Sequence, residues 1–105
     1  MRMEATGSTM DVLLHIASAA SAPIAAALGR ALSAEGASWG CFLTSDGVRA
    51  IDEPGFAGAS AGAARVVVCE HSWEHYMAGR ECPVERGSQT VNSALMAEAA
   101  RVVSL

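Results

Sequence analysis

The chain is expected to fold as an α/β domain, a mostly parallel sheet of about 4–5 strands with helices on both faces. Two observations carry this. Short apolar runs recur at residues 11–17, 38–44, 65–69 and 101–105. The first three are nearly continuous rather than alternating, the mark of strands buried on both faces. Between them lie segments of helical periodicity or helix-favouring composition. Strands that alternate with helices imply parallel crossovers. The length, 105 residues, suits one domain and is too short for two.

Residues 1–10 (MRMEATGSTM) are polar and short of β-formers. They read as a flexible leader ahead of a single domain over residues 11–105. Residues 11–17 form the first strand and 18–22 a small-residue turn. Ser21 is a fair helix cap, and Pro23 suits the first helical turn. Ile24, Ala27, Leu28, Ala31 and Leu32 then recur at helical spacing. Gly36 fits the position just past the helix end. Residues 38–44 (SWGCFLT) are the second strand, closed by a turn at the Asp46-Gly47 pair. Residues 52–63 are a Gly/Ala-rich loop with room for one short helix. Residues 65–69 (RVVVC) are the clearest strand, and 72–78 are helix-compatible. Residues 79–87 form a polar loop with Pro83. Residues 92–100 form a second good helix with Asn92 as its cap, and 101–105 close the sheet.

The net charge is −4, from 7 arginines against 11 acids, and lysine is absent. This excludes a Schiff-base lysine and a phosphate-loop lysine. No arginine cluster marks a nucleic-acid groove. The apolar stretch 12–34 follows Glu4 and Asp11 and is interrupted by His15, Pro23 and Arg30. It fits neither a signal core nor a membrane span, so a cytoplasmic protein without a membrane role is expected. Because 22 residues are alanine, the core is thin, and burial against a second copy is a natural remedy.

In an open α/β sheet, ligands bind beyond the carboxyl ends of the strands. Residues 18–21, 44–47 and 69–71 converge there. Cys69 is the one thiol in such a position, just ahead of a helix whose amides would stabilise a thiolate. His71 could add to this when protonated, and Asp46 would form a polar rim. The competing readings are a small buried hydrophobe for Cys69 and a simple turn for Asp46. Cys41 reads as core. Cys82, beside Pro83, either resolves an oxidised Cys69 or is inert. A second constellation, Cys69, His71, His75 and Cys82, has ligand types suited to zinc or another soft metal but follows no standard spacing. Its rival is two solvent-side histidines, with Trp73, Tyr76 and Met77 facing inward or toward a partner. His15 reads as a satisfied core histidine. No dinucleotide fingerprint or nucleophile elbow is present, and no cofactor is expected.

Three stretches, residues 42–48 (FLTSDGV), 66–69 (VVVC) and 100–105 (ARVVSL), resemble the DsrE/DsrF-like family of sulfur-relay proteins. The resemblance runs from about Asp11 to Leu105. It implies a flavodoxin-like or Rossmann-like fold and assembly into trimers or hexamers. It also implies sulfurtransferase-type chemistry, with sulfur carried as a cysteine persulfide between donor and acceptor proteins. Cys69 matches the family's active cysteine, and Asp46, Gly47 and Val48 match the loop near it. Where relay members often have an Arg-Gly pair after the cysteine, this chain has an acidic, aromatic segment over residues 70–80. The alternatives are a metal-binding or redox-sensing module on Cys69, His71, His75 and Cys82, and a non-catalytic subunit of a structural oligomer.

Overall fold

Five parallel strands form one sheet in the order β4-β3-β2-β1-β5. They are β1 (Met10–Ile16), β2 (Trp39–Leu43), β3 (Arg65–Cys69), β4 (Glu85–Gly87) and β5 (Ala99–Ser104). The helices are α1 (Ala22–Ala34), α2 (Pro54–Ser60), α3 (Glu70–Tyr76) and α4 (Gln89–Glu98). The computed structural model describes residues 9–105; residues 1–8 of the expected leader lie outside them. Met10 already belongs to β1. No described helix is long and apolar enough to cross a membrane.

The predicted α/β architecture, flavodoxin-like in its layers, is present, with one strand the sequence reading left out. β4 lies inside the expected loop of residues 79–87. It is only three residues long and carries Glu85 and Arg86, so no apolar run announces it. Three successive crossovers in one direction, β1 to β4, place α1, α2 and α3 on one face. The return from β4 to β5 crosses behind the sheet and puts α4 on the other. The core divides accordingly. Leu14, Ile16, Trp39, Cys41, Leu43, Phe56, Val68 and Trp73 pack on the three-helix side. Leu13, Phe42, Val67, Cys69 and Leu95 pack on the α4 side. All five β2 residues are buried, as a central strand between two covered faces requires.

Local chemistry fixes the ends of these elements. Pro23 sits in the first turn of α1, and Gly36 follows its end at φ +73, the left-handed conformation a glycine tolerates best. Gly29 lets α1 lie directly on Trp39, because a Cβ there would collide with the indole ring. Ser33 Oγ accepts the indole N–H at 2.9 Å. The start of α4 corrects the sequence reading. Ser88, not Asn92, caps this helix, its hydroxyl accepting from Val91 N–H at 3.4 Å. Asn92 is a buried helical residue one turn in. The expected loop of residues 52–63 contains its one short helix, α2, and the expected turn at Asp46-Gly47 is part of a longer 3-10 segment, Ser45–Asp52.

Candidate functional site

Cys69 ends β3 and is itself the N-cap of α3, so the chain turns from strand to helix at the thiol. β2 on one side and β4 on the other hold β3 in register, with Cys69 opposite Gly87. The residue is only 5% exposed and lies on the α4 face beside Phe42, Val67 and Leu95.

The next turn of chain supplies its polar surroundings. Ser72 is buried, three residues into the helix. Its Oγ accepts from the Ser45 backbone N–H at 2.8 Å and lies 3.4 Å from Thr44 Oγ1. The loop after β2 and the first turn of α3 are thereby joined next to the thiol. From the other side, Gln89 Nε2 donates to Cys69 Sγ at 3.8 Å. Gln89 is held in turn, because its Oε1 accepts from Asn92 Nδ2 at 3.3 Å. Asn92 Oδ1 is buried with no hydrogen-bond partner among the described residues.

Burial pushes the Cys69 thiol up. Hydrogen bonds from the Ser72 hydroxyl, the Ser72 and His71 amides and the Thr44 hydroxyl outweigh it and leave the thiol below its ordinary value. Cys41 is the opposite case. It is fully buried in the three-helix core, and burial alone pushes its thiol up to about 12. Two cysteines on adjacent strands thus have opposed acidities, because only one meets polar donors.

Other sequence-selected residues are distributed differently. The His71 side chain is exposed, and it is the residue's backbone amide that acts on the thiol. Asp46 Oδ1 accepts from Ala19 N–H at 3.2 Å and ties the loop after β2 to the loop after β1. Its neighbours Thr44 and Ser45 are the ones that meet the Cys69 cluster. Cys69, His71, His75 and Cys82 are not gathered. Cys82 packs against the three-helix core and its Sγ donates to the Val84 carbonyl at 3.2 Å. His75 sits edge-on to Tyr76 at 4.6 Å. Among the described residues, no three His, Cys, Asp or Glu side chains come together in a way that could hold a metal ion. The reason is topological: Cys69 points to the α4 face, and Cys82 lies on the other.

No protein-family model matches the chain, and no curated protein or solved structure does.

Of the two orientations expected for Trp73, inward or toward a partner, the structure has the inward one. Trp73 is a core residue, 1% exposed, with its indole N–H donated to the Arg80 carbonyl at 2.8 Å. Tyr76 and Met77 are half-buried against the same core. His15 is half-buried and stacked on Phe42, 6.0 Å between ring centroids. A groove lined by Arg30, Ser33, Ala34, Gly58, Ala59 and Gly62 lies at the opposite, amino-terminal end of the sheet. Cys69 also stands two strands away from the point between β1 and β5 where the strand order reverses. Sequence reasoning missed Ser72 and Gln89 as thiol partners. Ser72 had a readable signal, three residues beyond a helix-capping cysteine. Gln89 had none, because the strand that delivers it was not visible.

Proposed function

We propose that the chain carries sulfur as a persulfide on Cys69, receiving it from one protein and passing it to another. The observation that carries this reading is the set of donors around one sulfur: the Ser72 and Thr44 hydroxyls, the His71 and Ser72 amides and the Gln89 side-chain amide. A thiolate is the attacking form of cysteine, and donors of this kind stabilise it. The resemblance of residues 42–48, 66–69 and 100–105 to sulfur-relay proteins points to the same cysteine. Three free thiols suit a reducing, cytoplasmic setting.

In the loading step, Cys69 Sγ attacks the outer sulfur of a donor persulfide. The bond from Sγ to that sulfur forms, the donor's S–S bond breaks, and the donor leaves as a thiolate. In the unloading step, an acceptor thiolate attacks the same outer sulfur and Cys69 leaves. Leaving is faster for a thiol of lowered pKa, so the same donors serve both steps. Asp46 acts at a distance by fixing the loop that presents Thr44 and Ser45. His71 supplies its amide to the sulfur and an exposed imidazole at the rim.

The test is intact-protein mass spectrometry after incubation with a small-molecule persulfide donor. Wild type should gain mass in whole sulfur atoms, Cys69→Ser should gain none, and Cys82→Ser should behave as wild type. A wild-type chain that gains no sulfur overturns the reading, as does a gain that survives Cys69→Ser.

A further inference from the structure

We propose that the free edge of β5 pairs with β5 of a second copy, antiparallel and about a two-fold axis through Val102, to form a dimer with one continuous sheet. The inference is independent of the thiol chemistry.

β5 borders β1 on one side, and among the described residues no strand lies on the other. The direction of its backbone groups follows from its end. Leu105 N–H donates to the His15 carbonyl at 2.8 Å, and the Leu105 carbonyl accepts from Ala17 N–H at 3.0 Å. Both groups of Leu105 therefore face β1. Strand alternation then turns Val103 and Arg101 toward β1, and Ala100, Val102 and Ser104 outward. The outward set is symmetric about Val102. An antiparallel copy rotated about that residue sets Val102 against its own counterpart and Ala100 against the second copy's Ser104. Each of these pairs exchanges two N–H···O=C bonds.

The side chains fit the same occupant. Natural sheets blunt a free edge with a short strand, charge, proline or a bulge. β4, at the far edge, is blunted in this way, with three residues that include Glu85 and Arg86. β5 is six residues long, and four of those, Ala99, Ala100, Val102 and Val103, are apolar. Among the described residues, the exposed large hydrophobic ones are Ile24 at 56%, Met96 at 43%, Val102 at 38% and Val103 at 36%. Two belong to β5. Met96 is on α4, the helix that packs beside β5. Ile24 lies on the flank of α1 turned away from α2, which α1 meets through Arg30 and Ser33. Val102 aligns with Leu13 of the α4-side core, and Val103 with Leu14 of the three-helix core. Apolar surface therefore flanks the free edge above and below the sheet. A strand about 20 Å long in a three-layer fold about 30 Å thick offers about 600 Å² per copy. Two copies bury about 1,200 Å², the lower bound for a stable interface. The helices must take part to reach it, which is where Ile24 and Met96 stand.

Sedimentation over a concentration series tests the proposal with wild type, Val102→Lys and Val102→Glu. Residue 102 is partly exposed and directs no backbone group at β1, so both variants should fold, as circular dichroism will show. Wild type should dimerise. Each variant alone should dissociate at least about tenfold more readily, because like charges meet across the axis. An equimolar mixture of the two should recover the dimer as a Lys/Glu pair. A wild-type monomer throughout the series overturns the proposal. So does an oligomer that neither variant weakens, or a loss in both variants that the mixture does not reverse.

Discussion

Ser72 Oγ accepts the Ser45 backbone N–H at 2.8 Å, and the same hydroxyl is the strongest of the groups that lower the Cys69 thiol. Ser45 is the one described non-glycine residue with positive φ, at 51°. One serine therefore anchors an uncommon backbone conformation after β2 and conditions the sulfur after β3. Ser72→Ala should leave the Ser45 amide without its acceptor at a cost of about 1–3 kcal/mol. It should also raise the Cys69 pKa. Urea unfolding and the pH profile of Cys69 alkylation would measure the two effects. An unchanged profile would mean that the hydroxyl does not act on the sulfur.

Cys41 makes stability depend on alkaline pH. The unfolded thiol titrates near 9.0, and the folded one keeps its proton to about 12. Between these values the unfolded chain holds fewer protons, so stability falls as pH rises. The slope is about 1.4 kcal/mol per pH unit, or about 4 kcal/mol over the window. Cys69 has the opposite sign. Its lowered pKa adds stability above 9.0 that is lost as pH falls through the folded value. Denaturation midpoints of wild type and Cys41→Ala from pH 7 to 11 separate the two. The variant should be less stable at pH 7, from the cavity, and should lose the decline above pH 9.

Much of the fold was legible because its strands are buried on both faces. Residues 65–69 were readable to the residue, since three consecutive valines are a short run of strong strand formers. β4 was not legible, because a three-residue edge strand gains its pairing from β3 and needs no apolar run. Missing it also displaced the start of α4. Asn92 reads as a cap when the helix is started at residue 92, whereas Ser88 caps it and Asn92 is a buried helical residue. Trp73 reads as facing inward or toward a partner, and burial together with the Arg80 carbonyl that accepts its indole N–H decides for inward. At the site, Cys69 was identifiable from its strand end. Its partner Gln89 comes from an element 20 residues away, and no local pattern encodes that distance.

Gln89→Glu isolates the side-chain donor on the sulfur. The substituted carboxylate still accepts from Asn92 Nδ2, so the α4 contact survives. At Cys69, however, an N–H donor 3.8 Å away is replaced by a negative charge. That charge disfavours the thiolate. The Cys69 pKa should rise, and alkylation near neutral pH should slow, with stability within about 0.5 kcal/mol of wild type. Alkylation at the wild-type rate would show that Gln89 is a bystander.

Gly47 and Gly58 should respond oppositely to the same substitution. A Cβ at Gly47 would overlap the Ile16 carbonyl and approach the Ala17 backbone at 3.1 Å, and rigid backbone cannot yield as a side-chain tip would. The loop after β2 crosses the end of β1 here, so Gly47→Ala must lift that loop. The lift strains the Asp46 bond to Ala19 and the Ser45 bond to Ser72. A loss of about 1–3 kcal/mol is expected, together with a raised Cys69 pKa because Thr44 moves with the loop. Gly58 lies inside α2 with nothing within 4 Å of a new Cβ. Gly58→Ala should therefore stabilise by about 0.5–1 kcal/mol through the smaller entropy loss of alanine in a helix. Thermal unfolding of both variants, with Cys69 alkylation followed in parallel, is the check. If Gly47→Ala destabilised the chain and left the thiol unchanged, the loop would be structural and uncoupled from the sulfur.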